Sequence, residues 1–370
     1  MRILTVFGTR PEAVKMAPIV KLLASTPGVE ARVCVTAQHR QMLDQVLNLF
    51  QIEPHYDLNL MRDGQSLAQL SADIFTHLDP VLEDFKPDWV LGQGDTTTVA
   101  ITSMLCFYRQ IRFGHVEAGL RTHDKWQPFP EEVNRRIVSV IADLHFAPTN
   151  WSKNNLLREG VDEKTVRVTG NTVIDALQFV SKQAEPAEIT ELVQSKLSHK
   201  KLILVTAHRR ENFGAPMENI CKALLQIASR GDVEIVYPVH LNPNVQEPVS
   251  RLLRGVEHVT LLPPLDYLPL VHLMKHANII LTDSGGIQEE APAFGIPTLV
   301  LRDVTERPEG VDAGTLKLVG TETSHIVEET RRLLEDESAY KKMATSANPY
   351  GDGHAAEKII QALLGSRENM

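Results

Sequence analysis

The stretch LTDSGGIQEEAPAFG, residues 281–295, sets an apolar run against flexible small residues and a pair of carboxylates. Ala277-Asn278-Ile279-Ile280-Leu281 leads into Asp283, Ser284, Gly285 and Gly286, and a helical pattern then carries Glu289 and Glu290. An apolar, β-branched run of this length reads as a strand covered on both faces, hence a strand of a parallel sheet. Ser-Gly-Gly at its end lets backbone N–H groups approach an anion, and the following helix adds its positive end. One to two turns on, Glu290 suits vicinal hydroxyls such as those of a ribose. The stretch therefore reads as a diphosphate clamp followed by a ribose clamp. The plainer alternative is a helix capped by Ser284 with two surface glutamates.

Working outward, similar runs recur at 3–7, 31–36, 89–91, 113–116 and 144–147, then at 202–206, 233–239, 259–262, 279–282 and 298–301. Helical patterns such as 13–23, 41–49 and 67–85 lie between them. This alternation gives an α/β protein of repeated βα units in two batches. The expected organisation is two Rossmann-like domains with parallel sheets facing across a cleft. The first spans 1–170 and the second 171–352, with a C-terminal helix at 353–366 packing back on the first. In such sheets ligands bind beyond the carboxyl ends of the strands, so the residues after each run carry the functional information.

The bulk numbers fit this reading. A chain of 370 residues with 43% hydrophobic and 23% charged residues is ordinary for two globular domains. A net charge of −9, without a Lys/Arg block, argues against nucleic acid or an anionic membrane as partner. Cys34, Cys106 and Cys221 are scattered without metal-ligand spacing, which fits unpaired thiols in a reducing compartment. The apolar run at the N-terminus stops at Phe7, and no later run approaches the ~18–20 residues of a membrane span. A cytoplasmic protein is expected.

The strand ends of the first half carry acids and bases. Gly8-Thr9-Arg10-Pro11 reads as a tight turn into a helix, with Arg10 and Lys15 placed for a phosphate or for solvent. Gly92-Gln93-Gly94-Asp95 is followed by Thr96, Thr97 and Thr98. Thr97 stands where a dinucleotide fingerprint needs its third glycine, and no P-loop lysine follows, so neither NAD nor ATP is indicated. Asp95 is then an N-cap or a functional carboxylate. Glu117 ends an apolar run, and Glu131 and Glu132 open a helix, where the helix dipole alone favours them. If the fold holds, Asp95, Glu117 and Glu131 converge, with Arg135 nearby, as equipment for proton transfer. In the second half, His208-Arg209-Arg210 follows a strand and suits a polyanion such as pyrophosphate, whereas His240 is either a ligand contact or a turn residue.

VFGTRPEAVKMAP, VTAQHRQMLDQVL, GDTTT, GHVEAGLRT, PFPEEVNRR, GNTVIDAL, TAHRREN, YPVHLNPNV, LTDSGGIQEEAP, LRDVTERPEGV and NPYGDG occur in this order from the first strand to about residue 353. Together they resemble the non-hydrolysing UDP-N-acetylglucosamine 2-epimerases of bacteria and archaea. The resemblance implies a GT-B-like fold, a homodimer, and interconversion of UDP-GlcNAc and UDP-ManNAc without metal or nicotinamide. It implies elimination of UDP to a 2-acetamidoglucal and re-addition, in service of surface polysaccharide. The acid/base residues it implies are Asp95, Glu117 and Glu131. His208 and Arg10 would stabilise departing UDP, with Lys15 and Arg135 also in the site. Ser284, Gly285, Gly286 and Arg307 would lie by the phosphates, Glu290 by the ribose, and the segment from Pro264 to Leu270 by the uracil. An allosteric UDP-GlcNAc site would involve Gln38, Gln41, Arg209 and His240. The chain departs from many relatives at Gln93, where they carry histidine, and at Trp126-Gln127, where they carry Tyr-Ser. The rival readings are a hydrolysing 2-epimerase, a GT-B glycosyltransferase and an inactive sugar-nucleotide sensor.

Overall fold

The computed structural model describes residues 1–36, 40–62, 64–197 and 200–366, with the side chains of Arg40 and Gln41 outside that description. The chain divides into two compact units, Met1–Gln178 with the stretch from Tyr350 onward, and Phe179–Pro349.

The first unit is built on β1 (Arg2–Phe7), β2 (Glu30–Val35), β3 (Tyr56–Asp57), β4 (Trp89–Gln93), β5 (Arg112–Val116), β6 (Leu144–Ala147) and β7 (Val166–Val168). Among the described residues these form one sheet in the order β3-β2-β1-β4-β5-β6-β7, with every pairing parallel. β1 shows why: Ile3 to Phe7 are all buried, so both faces of the strand are covered, as parallel strands require. Its core gathers Leu4, Val6, Ile74, Leu78, Val90 and Phe113. Each such side chain contributes roughly 1.5–3 kcal/mol by leaving water. The terminal helix Ala355–Gly365 packs on the helix Arg10–Ala24 of the same unit.

The second unit holds β8 (Lys201–Thr206), β9 (Val233–Pro238), β10 (Val259–Leu262), β11 (Ile279–Thr282), β12 (Thr298–Val300) and β13 (Leu316–Leu318). Their order is β10-β9-β8-β11-β12-β13, again all parallel. Ile203, Val205, Ile235, Tyr237, Ile279 and Leu281 are central to its core.

Three strands are additions to the sequence reading. β3, β7 and β13 are two or three residues long and all three lie at sheet edges, too short to give a pattern. The polar stretch before β8 contains a helix, Ala187–Lys196, in which Ile189 alone is buried. Prolines also prove tolerable inside helices, with Pro18 within Arg10–Ala24 and Pro80 within Leu67–Phe85.

Strand order carries the functional consequence. In the first sheet it reverses between β1 and β4, and in the second between β8 and β11. Open parallel sheets bind ligands at such switch points. The turns after these four strands are Gly8–Thr9, Gly94–Asp95, Ala207–His208 and Asp283–Ser284, the ones whose residue types suggested chemistry.

Candidate active site

The turn after β1 is dictated by packing. A Cβ on Gly8 would fall 2.1 Å from Thr36 Oγ1, so no side chain fits there. Thr9 caps the helix Arg10–Ala24 in a capping box with Glu12, and Pro11 sits in the first turn. Arg10 opens that helix, half-buried, and Lys15 lies on its second turn.

Lys15 reaches Glu117, the residue after β5. Glu117 is 9% exposed and stands at φ 62°, a left-handed conformation unusual for a non-glycine residue. Its carboxylate is held inside the protein and does not face solvent. Lys15 and Asn171 Nδ2 (2.9 Å) both donate to its Oε1, and Gln93 Nε2 donates to its Oε2. Strained backbone held by this many partners marks functional positions. Gln93 and Asn171 were not among the sequence candidates.

Asp95 is half-buried, and it is not an N-cap, because Thr96 caps the helix Thr97–Tyr108 through Val99 N. Its Oδ2 pairs with Arg135 at 2.7 Å, and its carbonyl accepts from Asn134 Nδ2 at 2.9 Å. Burial works against the Arg135 charge, but Asp95 and Glu132 more than offset it and raise its pKa. Below this turn, His115 Nε2 lies 2.7 Å from the Gly94 carbonyl, and burial pushes the His115 pKa down to about 3.

The adjacent glutamates at the start of the helix Glu131–Ile141 divide their roles. Glu132 is fully buried and accepts from Thr122 N, His123 N and Arg135, which makes it a structural anchor. Glu131 Oε2 is buried and has no hydrogen-bond partner among the described residues. Buried polar atoms of this kind require an explanation, and a bound ligand is one.

In the second unit the anchor is Asp283, a residue the sequence reading left without a role. It is fully buried. It accepts from His208 N at 3.0 and 2.8 Å, from Arg209 N at 2.8 Å and from Asn212 Nδ2 at 3.0 Å. The turn after β8 is thereby tied to the end of β11. His208 stacks on His240 with ring centroids 5.4 Å apart, so these two candidates share one place. Burial holds the His208 pKa below its usual range, with His240 and Arg209 adding to the effect and Asp283 opposing it.

Ser284 makes no side-chain cap bond to the helix Gly285–Glu290. Arg307 lies over Gly285, whose added Cβ would meet its guanidinium carbon at 2.8 Å, and Glu289 holds that guanidinium at 2.9 Å. Glu290 is 5% exposed and accepts from Tyr267 Oη at 2.8 Å. Neither glutamate is a surface residue. Gly286 is exposed, as a backbone approach requires. Cavities of about 460 and 550 Å³ flank Leu262, Pro263 and Pro264, and Leu270 lies half-buried on the helix Tyr267–His276. Gln38 and the Gln41 side chain lie outside the described residues.

Among the described residues no cluster of His, Cys, Asp and Glu is arranged to hold a metal, and no helix is long and apolar enough to cross a membrane.

Comparison with known proteins agrees with the geometry. The family model described as UDP-N-acetylglucosamine 2-epimerase matches residues 21–364. The UDP-N-acetylglucosamine 2-epimerase of Yersinia pestis is 57% identical over 369 residues, covering 98% of each chain. The crystal structure of the Neisseria meningitidis UDP-GlcNAc 2-epimerase bound to UDP-GlcNAc aligns at TM-score 0.90 and 52% identity, covering 99% of this chain and 100% of that one. The Methanocaldococcus jannaschii enzyme in complex with UDP-GlcNAc and UDP aligns at TM-score 0.80 and 32% identity, with 99% and 100% covered. With two parallel sheets in GT-B-like order and matches that span nearly its whole length, the chain belongs to the UDP-N-acetylglucosamine 2-epimerase family.

Proposed function

We propose that the enzyme interconverts UDP-GlcNAc and UDP-ManNAc without net hydrolysis. A carboxylate removes the C2 proton, the C1–O bond breaks, and UDP leaves with the electron pair by anti-elimination. The C1–C2 double bond of 2-acetamidoglucal forms. A second group then returns a proton to the opposite face of C2, and a diphosphate oxygen of UDP re-adds to C1. Atoms and electrons balance with no external redox partner.

The observation that carries this reading is the set of three carboxylates on the first unit. Glu117 is oriented by three donors, Asp95 is paired with Arg135, and Glu131 offers a buried oxygen without a partner among the described residues. A transferase needs no such set, whereas removal and return of a weakly acidic proton needs positioned acids and bases. On the second unit, Ser284, Gly285, Gly286 and Arg307 hold the diphosphate, Glu290 the ribose, and the segment from Pro264 to Leu270 the uracil. His208 and Arg10 stabilise the charge that develops on departing UDP.

The enzyme works as a homodimer in the cytoplasm and supplies ManNAc units for surface polysaccharide. Phe107 and Tyr108, each 65% exposed, are apolar surface of the kind an interface covers. UDP-GlcNAc at a second position activates the enzyme through Gln38, Gln41, Arg209 and His240, for which the stacking of His240 on His208 supplies a direct route.

Asp95→Asn, Glu117→Gln and Glu131→Gln test the roles one by one. Each is expected to lower turnover by about 10²–10⁴-fold while UDP affinity is kept. A variant at the wild-type rate would remove that residue from the acid/base set.

A further inference from the structure

Glu12 takes no part in the chemistry above, yet its carboxyl is 2% exposed and fully engaged. Oε2 accepts from Gly8 N at 3.1 Å and from Thr9 N at 2.7 Å. Oε1 accepts from Thr96 Oγ1 at 2.7 Å. The capping box accounts for the bond to Thr9. It does not account for Gly8, nor for a bond to a residue 84 positions away. Thr96 follows Asp95 directly, and the same hydroxyl accepts from Val99 N at 3.3 Å to cap the helix Thr97–Tyr108. One carboxyl thus joins the turn after β1, which leads into the helix of Arg10 and Lys15, to the turn after β4, which carries Asp95. β1 and β4 are the two strands of the switch point.

Capping alone does not require this arrangement, since a capping-box glutamate works at a solvated helix end without losing its hydration. Here burial raises the Glu12 pKa against the pull of Thr96, Thr9 and the Gly8 amide. A buried carboxyl that costs solvation and ties two functional turns together is a positioning device.

We propose that Glu12 is a positioning residue for the epimerisation. It sets the spacing between the Gly8–Thr9 turn, which leads into the helix of Arg10 and Lys15, and the Asp95 turn, without touching substrate. This rests on the reading of the active site given above.

Three variants separate the possibilities. Glu12→Ala removes the whole bridge. Thr96→Val cuts the link to the second turn, together with the cap bond from Val99 N, and leaves the capping box of Thr9 and Glu12 in place, whereas Glu12→Ala leaves the Val99 cap intact. Glu12→Gln preserves the bridge, because its carbonyl accepts from Gly8 and Thr9 while its NH₂ donates to the Thr96 hydroxyl. Glu12→Ala and Thr96→Val are expected to lower kcat by about 10–100-fold, the cost of a small misplacement of a reacting group. KM for UDP-GlcNAc is expected to move by less than about threefold in both, and Glu12→Gln to recover most of the rate.

Amide hydrogen exchange without substrate gives a second readout, over peptides covering residues 94–99. Exchange is expected to quicken there in Glu12→Ala and Thr96→Val and to stay at the wild-type level in Glu12→Gln. Wild-type rates in Glu12→Ala or Thr96→Val, unchanged exchange in both, or a Glu12→Gln variant as slow as Glu12→Ala would overturn the proposal. If wild-type protein lacks epimerase activity while the exchange pattern follows the three variants, the functional reading falls and the bridge between the turns stands.

Discussion

Replacing Asp283 with alanine removes the acceptor that ties the turn after β8 to the end of β11. The carboxylate serves His208 N, Arg209 N and Asn212 Nδ2. Asn212 Nδ2 keeps a second acceptor in Leu301 O at 3.1 Å, so the loss falls on the two backbone amides. A donor left without an acceptor costs about 1–3 kcal/mol, which sets a range of about 2–6 kcal/mol for the pair. His208 and Arg209 are half-buried, so water reaches the turn and replaces part of the loss. The expectation is therefore about 2–3 kcal/mol, in the lower half of that range. Trp89, Trp126 and Trp151 all belong to the first unit, so tryptophan fluorescence is blind to this change. Hydrogen exchange over peptides covering residues 204–213 reads it directly. At tenfold per 1.4 kcal/mol, exchange should quicken by about 30–150-fold. UDP affinity should fall alongside, because His208 loses its support. Exchange within about threefold of wild type would mean that these amides find other partners and that the anchoring role is mistaken.

Other perturbations address separate parts of the account. Asn171→Leu removes one donor from Glu117, and turnover is expected to fall about 10–100-fold with UDP affinity unchanged; a wild-type rate would show that Lys15 and Gln93 orient Glu117 without it. Glu290→Ala should weaken UDP binding, measured by titration calorimetry, by about 1.5–3 kcal/mol; unchanged affinity would undo the ribose assignment. Burial depresses His115 to about 3 and His145 to about 4. In both cases the unfolded chain takes up protons first, so their contribution to stability is full above about 6.5 and is lost as pH falls toward those values. His115→Gln keeps a donor for the Gly94 carbonyl but does not titrate. Its urea midpoint, followed by tryptophan fluorescence, should fall less steeply with acid, and an unaltered pH slope would contradict the assignment.

What the sequence discloses and what it conceals follows from how each feature is encoded. β1, β8 and β11 are legible because a strand covered on both faces must be apolar at nearly every position. The residues after them are legible because glycine, proline and charge interrupt that pattern abruptly. Strand order is written nowhere locally, so the meeting of β1 with β4 and of β8 with β11 emerges only in the fold. The supporting residues share that limitation. Glu12, Gln93, Asn171 and Asp283 act on partners 24 to 84 positions distant or, for Asp283, 71 to 75. Polar residues buried in this way look, in a string, like any others at a turn. The Glu131-Glu132 pair is the sharpest case: adjacent and chemically identical, Glu132 is an anchor and Glu131 presents a buried oxygen without a partner among the described residues. Only the direction of the helix that carries them separates the two.

The most direct test of the central claim is proton NMR of the purified protein with UDP-GlcNAc in D₂O, with no metal or cofactor added. The expected product is UDP-ManNAc carrying deuterium at C2, with the sugar–UDP linkage intact. Free ManNAc and UDP as the accumulating products would contradict it and place the chain with hydrolysing enzymes, and UDP-ManNAc that retains hydrogen at C2 would contradict the elimination itself.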